Sequence, residues 1–265
     1  MIEDIKIINQ VATGGCHISI NTGTLRKQFQ VNLKDKSSYL FDGYIPKDDW
    51  KVLSSNCLVL LSNAVQNIHF NQYIRISSLP EEITLKSLEV LKKIRDYNDD
   101  IKNILCKKYI NQILNFLYER FLMCGVPNYL GLRVLDNLAL PTITFNKDIN
   151  SYIGLHVDCW DSNYINNANC RNRICVNLGA GPRFFYFINL SIEKISDLYK
   201  SNSTLKKTHK KEIAAYFLDK ESSYPVIRVT LNPGEYYVAP TERIIHDASF
   251  RDEKDTTITI LGYFR

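Results

Sequence analysis

The chain has 265 residues, 45% hydrophobic and 11% aromatic, with seven cysteines and a net charge of +5. That length and apolar share can bury a full core, which excludes a disordered or fibrous chain and predicts one large domain over 1–265. The lysines are interspersed with acidic residues instead of forming a stripe, so no nucleic-acid partner is prompted.

The cysteines are odd in number and include no C-x-x-C pair, which fits reduced thiols in a cytoplasm. Met1-Ile2-Glu3-Asp4 is acidic early, and no apolar run suits a signal peptide or a membrane span. A soluble, cytoplasmic protein with a small-molecule partner, away from membranes, is therefore expected. No repeat and no Pro/Gly/Ser linker marks a boundary. The chain reads as a mixed N-terminal support, 1–129, followed by a strand-rich core, 130–265.

Residues 1–75 mix strand-like runs such as Leu58-Val59-Leu60-Leu61 with polar segments. Ser78-Leu79-Pro80-Glu81 has the form of a capping box with proline in the first turn, opening a helix to about Asp96 that carries Leu88, Leu91 and Ile94. A second helix, about 101–124, repeats apolar residues at Ile110, Ile113, Leu114, Leu117 and Phe121, and Gly125 and Pro127 are expected to stop it. Beyond Tyr129, strands are predicted near 130–146, 152–158, 172–179, 182–190, 225–231, 235–240, 243–248 and 256–264. A basic helical insertion, Ser191 to Glu221, interrupts them. The predicted class is mostly β with α: a jelly-roll (double-stranded β-helix, cupin-like) core with the N-terminal helices packed on one sheet.

One constellation carries chemistry. In a strand, positions i and i+2 face the same side, so His156 and Asp158 can both face the interior while Val157 packs outward. The turn Asn232-Pro233-Gly234-Glu235 leads through Tyr236 to Pro240 and on to the apolar run holding His246, which brings a second imidazole to a neighbouring strand. Two imidazoles and one carboxylate on one face of a metal leave the opposite face open, the arrangement of a non-heme ferrous oxygenase. An H-x-D triplet alone arises often by chance, but the chain has only five histidines, and two of them fall on strands in the right order. His17, His69 and His209 lack that context and read as surface or structural residues. Asp161 is a spare carboxylate whose odd offset from His156 turns it away from the shared face. Additional histidines, common in zinc or manganese cupins, are absent from the pattern.

The C-terminal half, about 130–265, resembles the Fe(II)/2-oxoglutarate-dependent dioxygenases. The resemblance rests on Gly154-Leu155-His156-Val157-Asp158, the Leu231-to-Glu235 turn, and Pro240 through His246; residues 1–129 match no motif. It implies that His156, Asp158 and His246 hold Fe(II), and that 2-oxoglutarate and dioxygen are consumed with release of succinate and CO2. A carboxylate at Asp158 favours hydroxylation over the related halogenation. Family members commonly carry a basic residue beyond the distal histidine, and here Thr256 and Thr257 stand instead.

The C5 carboxylate of 2-oxoglutarate needs a cation, and arginine meets it with paired hydrogen bonds. Arg173 ranks first because Arg173, Cys175 and Asn177 share one strand face, opposite Ile174, Val176 and Leu178. Arg251 ranks second, and Asn177 and Thr257 are expected nearby. Arg183, delivered by the turn Gly179-Ala180-Gly181-Pro182, is the candidate for a substrate carboxylate, with Trp160 and Tyr152 as pocket walls. The reading is a hydroxylase of a small amino-acid-like metabolite. A peptide or protein side-chain hydroxylase is the nearest alternative, and a non-catalytic jelly-roll binding protein the alternative of another class.

Overall fold

A computed structural model describes residues 4–11, 18–27, 38–53, 72–93, 99–121, 123–136, 140–160, 162–165, 170–199, 209–251 and 254–264. The N-terminal strands are β1 (Lys6–Asn9), β2 (Ile18–Ile20), β3 (Thr24–Arg26), β4 (Ser38–Pro46), β5 (Lys51–Val52) and β6 (Tyr73–Ser78). Two helices follow, α1 (Glu81–Lys93) and α2 (Asp99–Arg120). Then come β7 (Met123–Asp136), β8 (Phe145–Asn146), β9 (Ser151–Gly154), β10 (Asn172–Asn177) and β11 (Arg183–Ser191). After α3 (Ile192–Leu198) and α4 (Lys210–Lys220), the chain ends in β12 (Ile227–Leu231), β13 (Glu235–Ala239), β14 (Ile244–Phe250) and β15 (Lys254–Phe264). The protein is mostly β, and the strands of the described residues lie in several sheets without a closed barrel. Among the described residues, no helix is long and apolar enough to cross a membrane.

The first sheet runs β1-β6-β13-β10-β15-β7 and the second β14-β11-β12-β2-β5. Alternation along the strands explains how they pack. Cys175 and Tyr237 of the first sheet join Phe185, Phe187, Val229 and Leu231 of the second in one apolar cluster. Ile174, Val176, Tyr236 and Val238 point the other way, against Ile110, Ile113, Leu117 and Phe121 of α2 and the turn after it. The period-3.6 stripe read in that helix is thus the stripe that meets the sheet. Phe184, Tyr186 and Ile188, on the outer face of β11, are covered by α3 and α4. Helices on one face and a sheet on the other leave β11 buried along its whole length.

A third sheet, β3-β4-β9-β8, is tied to the second through a pair just beyond β9, where the backbone N–H of His156 donates to His246 O (3.0 Å) and that of His246 to His156 O (2.8 Å).

Some expected boundaries shift. The second helix ends at Arg120, and Gly125 and Pro127 lie inside β7 instead of stopping a helix. Among the described residues only β15 pairs with β7, so it is an edge strand, where a proline is tolerated, and Gly125 (φ +80°) and Pro127 fall where the register to β15 is irregular. The expected strand 130–146 is two, β7 and β8. The insertion at 191–221 contains α3 and α4, and Leu58–Leu61, Ile94, His17, His69 and Asp161 lie outside the described residues.

Candidate metal centre

The geometry of the site begins with the cross-strand pair. Residues that exchange both backbone hydrogen bonds stand directly opposite on one sheet face, so the His156 and His246 rings meet, with centroids 4.7 Å apart. Asp158, two positions on, faces the same way, and its N–H is held by Thr241 O at 3.0 Å. His156 Nε2 lies 3.6 Å from Asp158 Oδ1, and His246 Nε2 lies 3.6 Å from Asp158 Oδ2. These separations are too long for hydrogen bonds, so the space among the three side chains is available to another group. Ligand atoms of all three lie within 4.8 Å of one another.

Backbone carbonyls fix both tautomers. His156 Nδ1 lies 2.8 Å from Gly154 O, and His246 Nδ1 lies 3.1 Å from Ile244 O. A carbonyl only accepts, so each Nδ1 carries a hydrogen, and in the neutral ring each Nε2 presents its lone pair to the centre. His246 Nε2 is buried and has no hydrogen-bond partner among the described residues. Burial pushes the His246 pKa down to about 3, against the pull of Asp158, so its ring is neutral at physiological pH. Burial also disfavours charge on His156, but the Asp158 contact and the Asp247 and Asp158 charges outweigh it and raise this imidazole. At Asp158 burial again opposes ionisation; the Arg173 guanidinium and the two histidines overcome it and hold the carboxyl well below the usual range.

Arg173 Nη2 stands 2.8 Å from Asp158 Oδ2, with the Trp160 ring 5.5 Å from the guanidinium carbon. The highest-ranked candidate for the cosubstrate carboxylate therefore stands against Asp158, one of the three candidate ligands. A cavity of about 50 Å³ opens beside it, walled in part by Tyr237, Thr257, Thr259, Arg183 and His246. Arg183 is buried, pairs with Asp255, and keeps an Nε with no hydrogen-bond partner among the described residues; the Nε of Arg173 is in the same state.

Thr257 lines this cavity as expected, whereas Arg251 does not: it lies over Phe184, 5.3 Å from the ring, on the outer face of β11. Asn177 is engaged by turns. Its amide nitrogen donates to Gly181 O and Leu231 O and its oxygen accepts from Gly179 N, so it links two connections. Trp160 is exposed apart from its Arg173 contact, and Tyr152 packs between Tyr39 and Phe145 on a neighbouring cavity.

Three contributors escaped the sequence reading. Arg133 sits on β7 opposite Thr257 and lines the cavity; nothing in the predicted 130–146 strand singled it out. Tyr237 lines the same wall, and burial raises its phenol. Asp247 follows His246 directly, is fully buried, accepts from Thr144 Oγ1 at 2.7 Å and lies 3.9 Å from His156 Nδ1. The adjacent His-Asp pair was its only available signal.

No family model and no curated protein matches the chain. Solved structures of the Kdo hydroxylase KdoO, described as a non-heme Fe(II) alphaketoglutarate dependent dioxygenase, overlap it at 12% sequence identity, covering 72% of this chain and 79% of that one. The TM-score is 0.44 for the apo form, 0.44 for the complex with succinate and Fe(III), and 0.43 for the complex with alphaketoglutarate and Fe(III).

Proposed function

We propose that the chain is a mononuclear Fe(II)/2-oxoglutarate-dependent oxygenase that hydroxylates a C–H bond of a small, amino-acid-like metabolite. The observation that carries this reading is the buried, unpartnered His246 Nε2 facing Asp158 and His156, with both imidazole Nδ1 atoms already committed to carbonyls. Two neutral nitrogens and one carboxylate suit ferrous iron with open positions. Iron held by His156, Asp158 and His246 would supply the redox activation of dioxygen that couples loss of CO2 from 2-oxoglutarate, leaving succinate, to oxygenation of a substrate C–H bond.

The residues around the triad are suited to a dicarboxylate. Arg173 fixes Asp158 and adds positive charge at the metal end. Arg183 lies further along β11 from Phe187, the residue opposite His246, by roughly 13 Å of strand, a gap that side chains from both ends shorten. Its Nε, without a hydrogen-bond partner among the described residues, and its place in the same cavity as Thr257 favour Arg183 over Arg173 for the distal carboxylate of 2-oxoglutarate. Strand order favours the jelly-roll reading, since β7, β10, β13 and β15 lie in one sheet, while β11, β12 and β14 lie in the sheet facing it.

The test is turnover. With Fe(II), dioxygen and ascorbate, the protein should convert 2-oxoglutarate to succinate and CO2, and His246→Ala should abolish this without loss of folding. Absence of succinate from a preparation that binds iron would overturn the reading.

A further inference from the structure

A second, larger cavity of about 440 Å³ lies against the triad cavity and shares Arg133, Leu135 and Ile143 with it. Its volume is that of a site for a small organic molecule. Leu135, Leu140, Ile143, Phe145, Tyr152 and Phe250 supply an apolar wall, contributed by β7, the segment after it, β8, β9 and the end of β14. Three charged side chains stand at this wall, Arg133, Lys147 and Asp136, so positive charge predominates.

Arg133 is the informative one. Arg173 has Asp158 and Arg183 has Asp255 as carboxylate partners, whereas Arg133 has no carboxylate within ion-pair distance among the described residues. Burial and the repulsion of Arg173 and Arg183 both disfavour its charge. An anion beside it would relieve that repulsion.

We propose that this cavity is the substrate site, and that the substrate is an amphiphilic anion: an apolar body against the Phe145–Phe250 wall and one acidic group on Arg133. The proposal rests on the oxygenase reading for its chemistry and narrows that reading's substrate class. The shared wall places such a molecule next to the triad cavity. Arg133 is exposed on an edge strand, its guanidinium side nearest the arginines of the triad cavity, so replacing it should leave the fold intact. The head group is then read by a residue whose removal costs binding and not folding.

The experiment uses the full chain loaded with Co(II) and 2-oxoglutarate and titrates octanoate, octylamine and 1-octanol by calorimetry, with Co(II) uptake followed by its visible spectrum. Octanoate should bind at least tenfold more tightly than octylamine or 1-octanol. Arg133→Gln should remove that preference while Co(II) uptake is unchanged, and Arg133→Lys should retain most of it. Equal binding of the amine and the carboxylate, or a preference that survives in Arg133→Gln, overturns the assignment of the head group. Normal Co(II) uptake with no octanoate bound overturns the cavity as substrate site and leaves the oxygenase reading standing. Failure of Co(II) uptake overturns the oxygenase reading itself, and with it the substrate role.

Discussion

His156 and His246 have the same side chain, the same i−2 carbonyl partner and opposite proton affinities. Burial dominates at His246 and depresses its pKa to about 3. At His156, Asp158 and Asp247 outweigh burial and favour the imidazolium. A metal must displace whatever proton its ligand carries. His246, its pKa pushed down to about 3, has none to lose in the mildly acidic range, whereas His156 becomes progressively protonated as pH falls below its raised pKa. Metal affinity should therefore weaken with falling pH in the mildly acidic range, and binding there should release close to one proton, not two. Calorimetry of Co(II) binding in buffers of different ionisation enthalpy reads that number directly. Release of two protons would mean that His246 is charged in the apo protein.

At the scale of elements, the site depends on how β9 ends and how the β13–β14 connection is held. Gly154 has φ +73°, and a Cβ there would collide with the carbonyl of Tyr44 on β4, while its own carbonyl anchors His156 Nδ1. Gly154→Ala should destabilise the protein by more than about 1–2 kcal/mol and weaken metal binding, although no ligand is changed. Denaturant unfolding and Co(II) titration of one preparation measure both, and unchanged metal affinity would show that the Gly154 carbonyl does not orient the ring. On the other side, Lys210 of α4 reaches the fully buried Glu242 at 3.7 Å, in the connection whose Thr241 carbonyl holds the Asp158 N–H. Removing one partner of a buried pair typically costs about 3–5 kcal/mol because the other charge is stranded. Glu242 keeps other contacts, so Lys210→Met should show a loss at or below the low end of that range, and Lys210→Met with Glu242→Leu should recover much of it. An additive double variant would mean that the pair is not coupled. The proton-carrying and strand-ending roles of these residues were only partly legible in the sequence. The H-x-D spacing and the distal histidine follow from strand periodicity, which is local. Arg133, Asp247 and the Lys210–Glu242 pair depend on which strands and helices become neighbours, which no single segment encodes.

Over the whole molecule, alternation and helical stripes were enough to anticipate a β-rich core with helices against one sheet, because burial of an apolar face is written in the period of each segment. The edge strand β7 was misread in part because glycine and proline end helices more often than they occupy sheets, and an edge position tolerates both. The account's central claim is that His156, Asp158 and His246 together hold one ferrous ion that 2-oxoglutarate can chelate. Its most direct test is anaerobic: the apo protein is mixed with stoichiometric Fe(II) and then with 2-oxoglutarate, and the visible metal-to-ligand charge-transfer band of an Fe(II)–2-oxo-acid chelate is sought. The account predicts that the band appears in the parent protein, saturates at one iron per chain, and is lost in His156→Ala and in His246→Ala. A folded protein that binds no iron, or an equally strong band in either variant, would contradict it.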